Sequence, residues 1–195
     1  MYVYLNIHIY INSYMKKLNE GSNMIIEKHL LKTEYQKWLC GFSFSHCVVV
    51  QPTPKQWFDE NEITQRLRTV VFRINKKFLK PSFPKWEHND KCWMVGFKEG
   101  NRIERNIHYH FMFHSPKISY KNKADFTSDA IKNMINDEWL KIPSINHYNY
   151  DERDDLNEIL HLSEVSNNFS AINYASKKYD PKNDYDQPIY IGLKD

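Results

Sequence analysis

The sequence predicts an α+β fold, an antiparallel sheet with helices packed on it, and three observations carry that expectation. Residues 107–114 place Ile107, Tyr109, Phe111 and Phe113 at every second position, with histidine at three of the four between, the period of two that marks a strand. Ile63, Leu67, Val70, Val71, Ile74 and Phe78 recur instead at helical spacing. Along the chain the elements follow the order β–α–β–β–α–β, with the helices separated by an antiparallel pair, unlike the strict alternation of a parallel sheet.

Each element has its own signal. Residues 1–26 read as a leader, in which Val3, Leu5, Ile7, Ile9 and Ile11 alternate as in a strand; Asn6 and His8 interrupt the apolar stretch and no basic region precedes it, so it is not a secretion signal. Residues 27–195 form the domain. A helix over 27–39 precedes an apolar strand over 42–51, which Pro52 and Pro54 end. The long helix occupies 59–79, and residues 80–90, with two prolines, form a loop. A hairpin follows: one strand at 92–99, a turn through Gly100, and the second strand at 107–114. After a polar, basic loop at 115–125 come a helix at 127–140 and short strands near 147–150 and 159–165. The last helix runs over 167–178 and stops before Pro181. The arrangement is the ferredoxin-like sandwich.

Composition excludes several functions. The 195 residues suit one domain, and 41% hydrophobic with 26% charged residues permits a core. No apolar run approaches the roughly 18 residues that span a bilayer. None of the five glycines begins a Walker A loop, so ATP-driven work belongs to another chain. Cys40, Cys47 and Cys92 are odd in number and lack Cys-x-x-Cys spacing, which argues against a disulfide framework or structural zinc and for a reducing, cytoplasmic setting. The net charge is only +3, yet eight basic residues lie between Arg66 and Lys91 against two acids. Arg66, Arg73, Lys76, Lys77 and Lys80 are expected to contact the phosphates of a nucleic acid from the polar side of the long helix. Aromatic residues reach 15%, thirteen of them tyrosine, and flat rings stack on single-stranded bases.

Chemistry concentrates in the second hairpin strand. Ile107, Tyr109, Phe111 and Phe113 share one face, while His108, His110 and His114 share the other. Two imidazoles two residues apart on a strand can chelate one divalent ion. Glu99, across the turn from His108, is the expected third ligand. Simple alternation puts Glu99 on the face of Trp93, Val95 and Phe97, so either another element partly covers that face or a bulge near Gly96 re-aims the chain. Glu104 in the turn is the alternative ligand. A cupin would place a glutamate soon after His-x-His, where Phe111-Met112-Phe113-His114 stands. A two-histidine phosphoesterase would need two His-x-Ser/Thr motifs, and only His161-Leu162-Ser163 is present.

A nucleophile is available in the last helix, where Tyr174 and Lys177 lie three residues apart and so share a face, with Lys178 adjacent. Tyr14, Tyr120 and Tyr179 also begin Tyr-x-x-Lys. Tyr14 falls in the leader, Tyr120 in a loop, and Pro181 interrupts the motif of Tyr179. Only Tyr174 combines a helix, an apolar anchor and a lysine on its own face. Tyrosine, with a free pKa of roughly 10, serves as both nucleophile and leaving group at phosphorus.

The order of an apolar strand, a hairpin carrying Glu99 and His108-Tyr109-His110, and a helical Tyr174-x-x-Lys177 resembles the HUH endonucleases, in which Tyr109 takes the place of the bulky hydrophobe between the histidines. The likeness is nearest to the single-tyrosine replication initiators of rolling-circle plasmids and viruses. It implies a ferredoxin-like fold holding Mg²⁺ or Mn²⁺ at the histidines. It implies that Tyr174 nicks single-stranded DNA or an origin hairpin, becomes joined to the 5′ phosphate and leaves a 3′ hydroxyl. Lys177 would stabilise the charge at phosphorus and Lys178 would contact DNA, while a separate helicase and polymerase would serve replication. A single-tyrosine transposase of the same fold and a non-catalytic nucleic-acid-binding module are the alternatives.

Overall fold

In the computed structural model, which describes residues 24–51, 60–79, 88–100, 107–116, 127–141, 160–180 and 187–193, the expected alternation becomes a five-stranded antiparallel sheet. Helix α1 (Met24–Cys40) leads into β1 (Phe44–Val50), followed by α2 (Glu60–Phe78) and the hairpin of β2 (Trp93–Glu99) and β3 (His108–His114). Then come α3 (Ser128–Leu140), β4 (Leu160–Glu164), α4 (Asn168–Ala175) and β5 (Ile189–Ile191). The strand order β4-β1-β3-β2-β5, antiparallel at every pairing, contains the ferredoxin-like order in its first four strands. Helix α1 starts at Met24, inside the stretch expected to be leader. Strand β5 was not expected, because three residues after Pro188 are too few to show a period. Residues 1–23, the strand expected at 147–150, Lys80, Glu104 and Tyr120 lie outside the described residues.

The two faces of the sheet bury separate cores. On one, Leu67, Val71 and Ile74 of α2 and Ile135 and Trp139 of α3 pack on Val48, Met94, Phe111 and Phe113. On the other, Tyr35 and Leu39 of α1 with Ile172 and Ala175 of α4 pack on Trp93, Val95, Phe97 and Met112. Strand β1 serves both. A bulge between Phe44 and His46 turns Phe44 to the α1/α4 side while Val48 and Val50 face α2 and α3. The Asn75 side chain fixes α2 to the start of β2, donating to the Cys92 carbonyl at 2.8 Å and accepting from the Cys92 amide at 2.7 Å.

Helix α2 corrects one expectation. Arg66 falls on the inward stripe with Ile63, Leu67 and Val70, and it is 1% exposed. Its Nε donates to Glu62 at 3.4 Å, one helical turn earlier, and its guanidinium stacks 5.6 Å from the Trp139 ring. Arg66 is a core residue and does not reach a phosphate. Arg73 pairs with Glu138 of α3 at 3.2 Å, which leaves Lys76 and Lys77 as the exposed cations of the last turn.

Two predictions follow from this packing. A Cβ on Gly96 would collide with the Phe111 ring, which lies over its cross-strand glycine. Gly96→Ala should therefore lower unfolding free energy by about 1–3 kcal/mol in urea titrations. His46 is fully buried between β1 and α3, its Nδ1 and Nε2 each 2.9 Å from the hydroxyls of Ser45 and Ser128. Burial, opposed in part by the Glu164 charge and the Ser128 hydrogen bond, holds its pKa below the ordinary value. The unfolded chain takes up this proton first, so stability should fall as pH drops through about 6.5 and keep falling until the folded imidazole is charged. The urea midpoint should be lower at pH 5.5 than at 7.5, and His46→Gln should reduce that difference.

Candidate active site

Cross-strand pairing assembles the histidine site. Strands β2 and β3 pair without interruption from Trp93 opposite His114 to Glu99 opposite His108, with Phe97 opposite His110. No bulge at Gly96 re-aims the chain. The first alternative holds: α1 and α4 cover the face of Trp93, Val95 and Phe97, and Glu99 emerges at the margin of that cover with its side chain 15% exposed. One carboxylate oxygen, Glu99 Oε2, lies 3.1 Å from His108 Nε2 and 2.9 Å from His110 Nε2. The ligand atoms of Glu99, His108 and His110 lie within 4.8 Å of one another, and together they can hold a metal ion. Two imidazole nitrogens and a carboxylate suit a divalent ion and leave its other positions open. Use of His110 Nε2 as the ligand atom puts the ring proton on Nδ1, which is buried and has no hydrogen-bond partner among the described residues.

Charge at the cluster favours the ligand forms. Burial pushes the Glu99 carboxyl up, but donation from Lys177 and His110, with the nearby positive charges, outweighs it and holds the group below its usual range. Burial lowers His110, with the neighbouring His108 and Lys177 adding to the effect against the pull of Glu99. The carboxylate is thus anionic and the imidazole neutral at pH 7.

The tyrosine arrives on α4. Asn167 caps this helix by accepting from the Ser170 amide at 2.9 Å, and Asn168 ties it to β1 through the Phe42 carbonyl at 2.7 Å and the Phe44 amide at 3.3 Å. Ile172 and Ala175 face the core, which turns Tyr174 outward, 56% exposed. Its ring meets that of His110 edge-on at 5.2 Å. The helix expected over 167–178 ends at Ala175, so Lys177 lies in the turn just beyond α4, and it still closes on the cluster. Its Nζ is 2.8 Å from Glu99 Oε2 and 4.1 Å from the centre of the Tyr174 ring. The hydrogen bond to Glu99 raises the Lys177 pKa despite an opposing effect of burial.

Sequence reasoning missed the supports of that turn. From α1, Gln36 donates to the Ser176 hydroxyl at 2.8 Å and Lys32 to the Lys177 carbonyl at 2.8 Å. These partners are remote in sequence, and no local motif announces them. His114, third on the histidine face, belongs to the core instead: its Nδ1 lies 2.8 Å from the Ser43 carbonyl and its ring 5.3 Å from Trp93. A groove of about 570 Å³ opens beside the cluster, bounded by Val49 of β1, His161 and Ser163 of β4, and Ser170 and Tyr174 of α4. Of the expected DNA contacts, exposed Lys178 follows Lys177 on this side, whereas Arg73, Lys76 and Lys77 sit on α2, which packs on the opposite face of the sheet. No helix among the described residues is long and apolar enough to cross a membrane.

Replacing His108 and His110 by alanine removes two of three ligand atoms. Calorimetric titration should show Mn²⁺ binding to the parent protein and none to the double variant, and equal binding would move the site elsewhere. No protein-family model, curated protein or solved structure matches the chain, and the geometry of this cluster is what speaks to its chemistry.

Proposed function

We propose that the protein is a metal-dependent nickase and strand transferase for single-stranded DNA that initiates rolling-circle replication through a 5′-phosphotyrosine intermediate. One observation carries this reading: Tyr174 of α4 and Lys177 of the turn after it, remote in sequence from the hairpin, converge on the Glu99–His108–His110 cluster, with the tyrosine ring 5.2 Å from His110 and the lysine ammonium 2.8 Å from Glu99. A structural tyrosine would bury its ring, whereas this one is 56% exposed beside the groove.

The residues divide the work. Glu99, His108 and His110 hold Mg²⁺ or Mn²⁺, which when bound draws charge from a phosphate oxygen and lowers the barrier to attack by an anion. The groove admits an extended single strand or the foot of an origin hairpin. The Tyr174 oxygen attacks phosphorus in line, the O–P bond to tyrosine forms, and the bond to the 3′ oxygen breaks. The phenol loses a proton and the departing 3′ oxygen gains one, so the step is neutral overall. Lys177 balances negative charge on the phenolate and at phosphorus, and Lys178 meets the flanking backbone. The phosphotyrosine keeps the energy of the phosphodiester, so a later 3′ hydroxyl reverses the step and seals the strand. Unwinding and synthesis then fall to a separate helicase and polymerase in the cytoplasm. A single-tyrosine transposase would use the same chemistry on a different DNA.

Covalent trapping tests the reading. Incubated with random single-stranded oligonucleotides and Mn²⁺, the parent protein should give an adduct that survives denaturant. Tyr174→Phe should bind oligonucleotide and metal but form no adduct, since the ring remains and the attacking oxygen is gone. Tyr179→Phe, altered at a ring buried against Tyr35 and Phe97, should remain active. Lys177→Ala should slow the reaction by roughly 10–1000-fold. An adduct on Tyr174→Phe would assign the nucleophile to another residue, and cutting without an adduct would make water the attacker. Binding without either reaction in the parent would leave a non-catalytic module.

A further inference from the structure

Glu99 Oε2 receives three donors, and one of them is a full positive charge. The Lys177 ammonium lies 2.8 Å from the same oxygen that His108 Nε2 and His110 Nε2 approach at 3.1 and 2.9 Å. A divalent ion held by these ligand atoms draws on that oxygen too, and two cations on one carboxylate oxygen repel each other strongly in a partly buried site. We infer that Lys177 is a built-in competitor for the metal: its ammonium occupies Glu99 while no ion is bound and gives way when one binds. The inference rests on the reading of Glu99, His108 and His110 as a metal centre.

The surroundings permit the exchange. The Lys177 side chain is 35% exposed, so it has room to turn, while its carbonyl is held by Lys32 at 2.8 Å. The ammonium already lies 4.1 Å from the centre of the Tyr174 ring. A lysine released from Glu99 therefore remains beside the nucleophile with its charge unpaired, ready for an anionic phosphodiester. Metal and phosphodiester then strengthen each other's binding by linkage, because each provides what the other's arrival upsets. Loading of the ion and presentation of the cation to the scissile phosphate become one event.

The test is a calorimetric titration with Mn²⁺, in the absence of DNA, of the parent, Lys177→Met, Lys177→Arg and Lys178→Met proteins. Lys177→Met should bind the ion roughly tenfold more tightly than the parent, the size expected for removing one nearby like charge. Lys177→Arg keeps the charge and should stay near the parent. Lys178→Met, one residue along and without a contact to Glu99, should also match it. Adding a non-cleavable single-stranded oligonucleotide should raise Mn²⁺ affinity by a larger factor in the parent than in Lys177→Met. Equal or weaker binding by Lys177→Met overturns the competition and leaves the metal centre standing. Equal tightening by Lys178→Met overturns it as well, by reducing the effect to general charge. No Mn²⁺ binding by any of the four proteins removes the metal centre and the competition with it.

Discussion

The Glu99 carboxylate faces two imidazoles and an ammonium, and the rest of the site is arranged around that one oxygen. A lone anion at this depth would be destabilised by burial, and the ammonium would lack its counter-charge without it. Each group is tolerated because the others are present. The cluster draws on three separate stretches of chain: the end of β2, the start of β3 and the turn after α4. Its formation therefore ties the hairpin to the C-terminal helix, and the same charges that stabilise the folded arrangement hold the carboxylate anionic.

What keeps the cluster reachable is the length of one helix. On the face of α2 and α3, the sheet is closed over by two long amphipathic helices. On the other face, α4 has only eight residues and ends at Ala175, so its cover reaches Phe97 but stops short of Glu99. Had α4 run further along the sheet, a buried hydrophobe would take the place of an ion pair. The 570 Å³ groove lies along the other side of α4, between Asn167, Ser170 and Tyr174 and the strands β1 and β4.

Much of this was legible in the sequence, for physical reasons that differ from residue to residue. Strands and long helices announce themselves through their periods, and the His108–His110 pair with Tyr174 needed only alternation and helical spacing to be placed on faces. Glu99 was ambiguous because alternation names a face without saying what lies over it, and only α1 and α4 in place decide that. Arg66 went astray because its charge suggested solvent while its spacing put it on the inward stripe, and the spacing prevailed once Glu62 and the Trp139 ring offered partners. The basic stripe was thus a property of the sequence that the fold divides between a core and an opposite surface. Gln36 and Lys32 could not have been found, since their partners stand 140 and 145 residues away.

That distance bears on how the molecule comes into being. Helix α1 leaves the ribosome well before its partners, and its contacts with Ser176 and the Lys177 carbonyl become possible only 140 and 145 residues later. Strand β1 likewise waits for β3 and β4 on either side. A topology so rich in remote pairings folds slowly for its size and gives the nascent chain little that is stable on its own. A truncated product ending before residue 176 would carry the hairpin ligands without the turn from which Lys177 faces them.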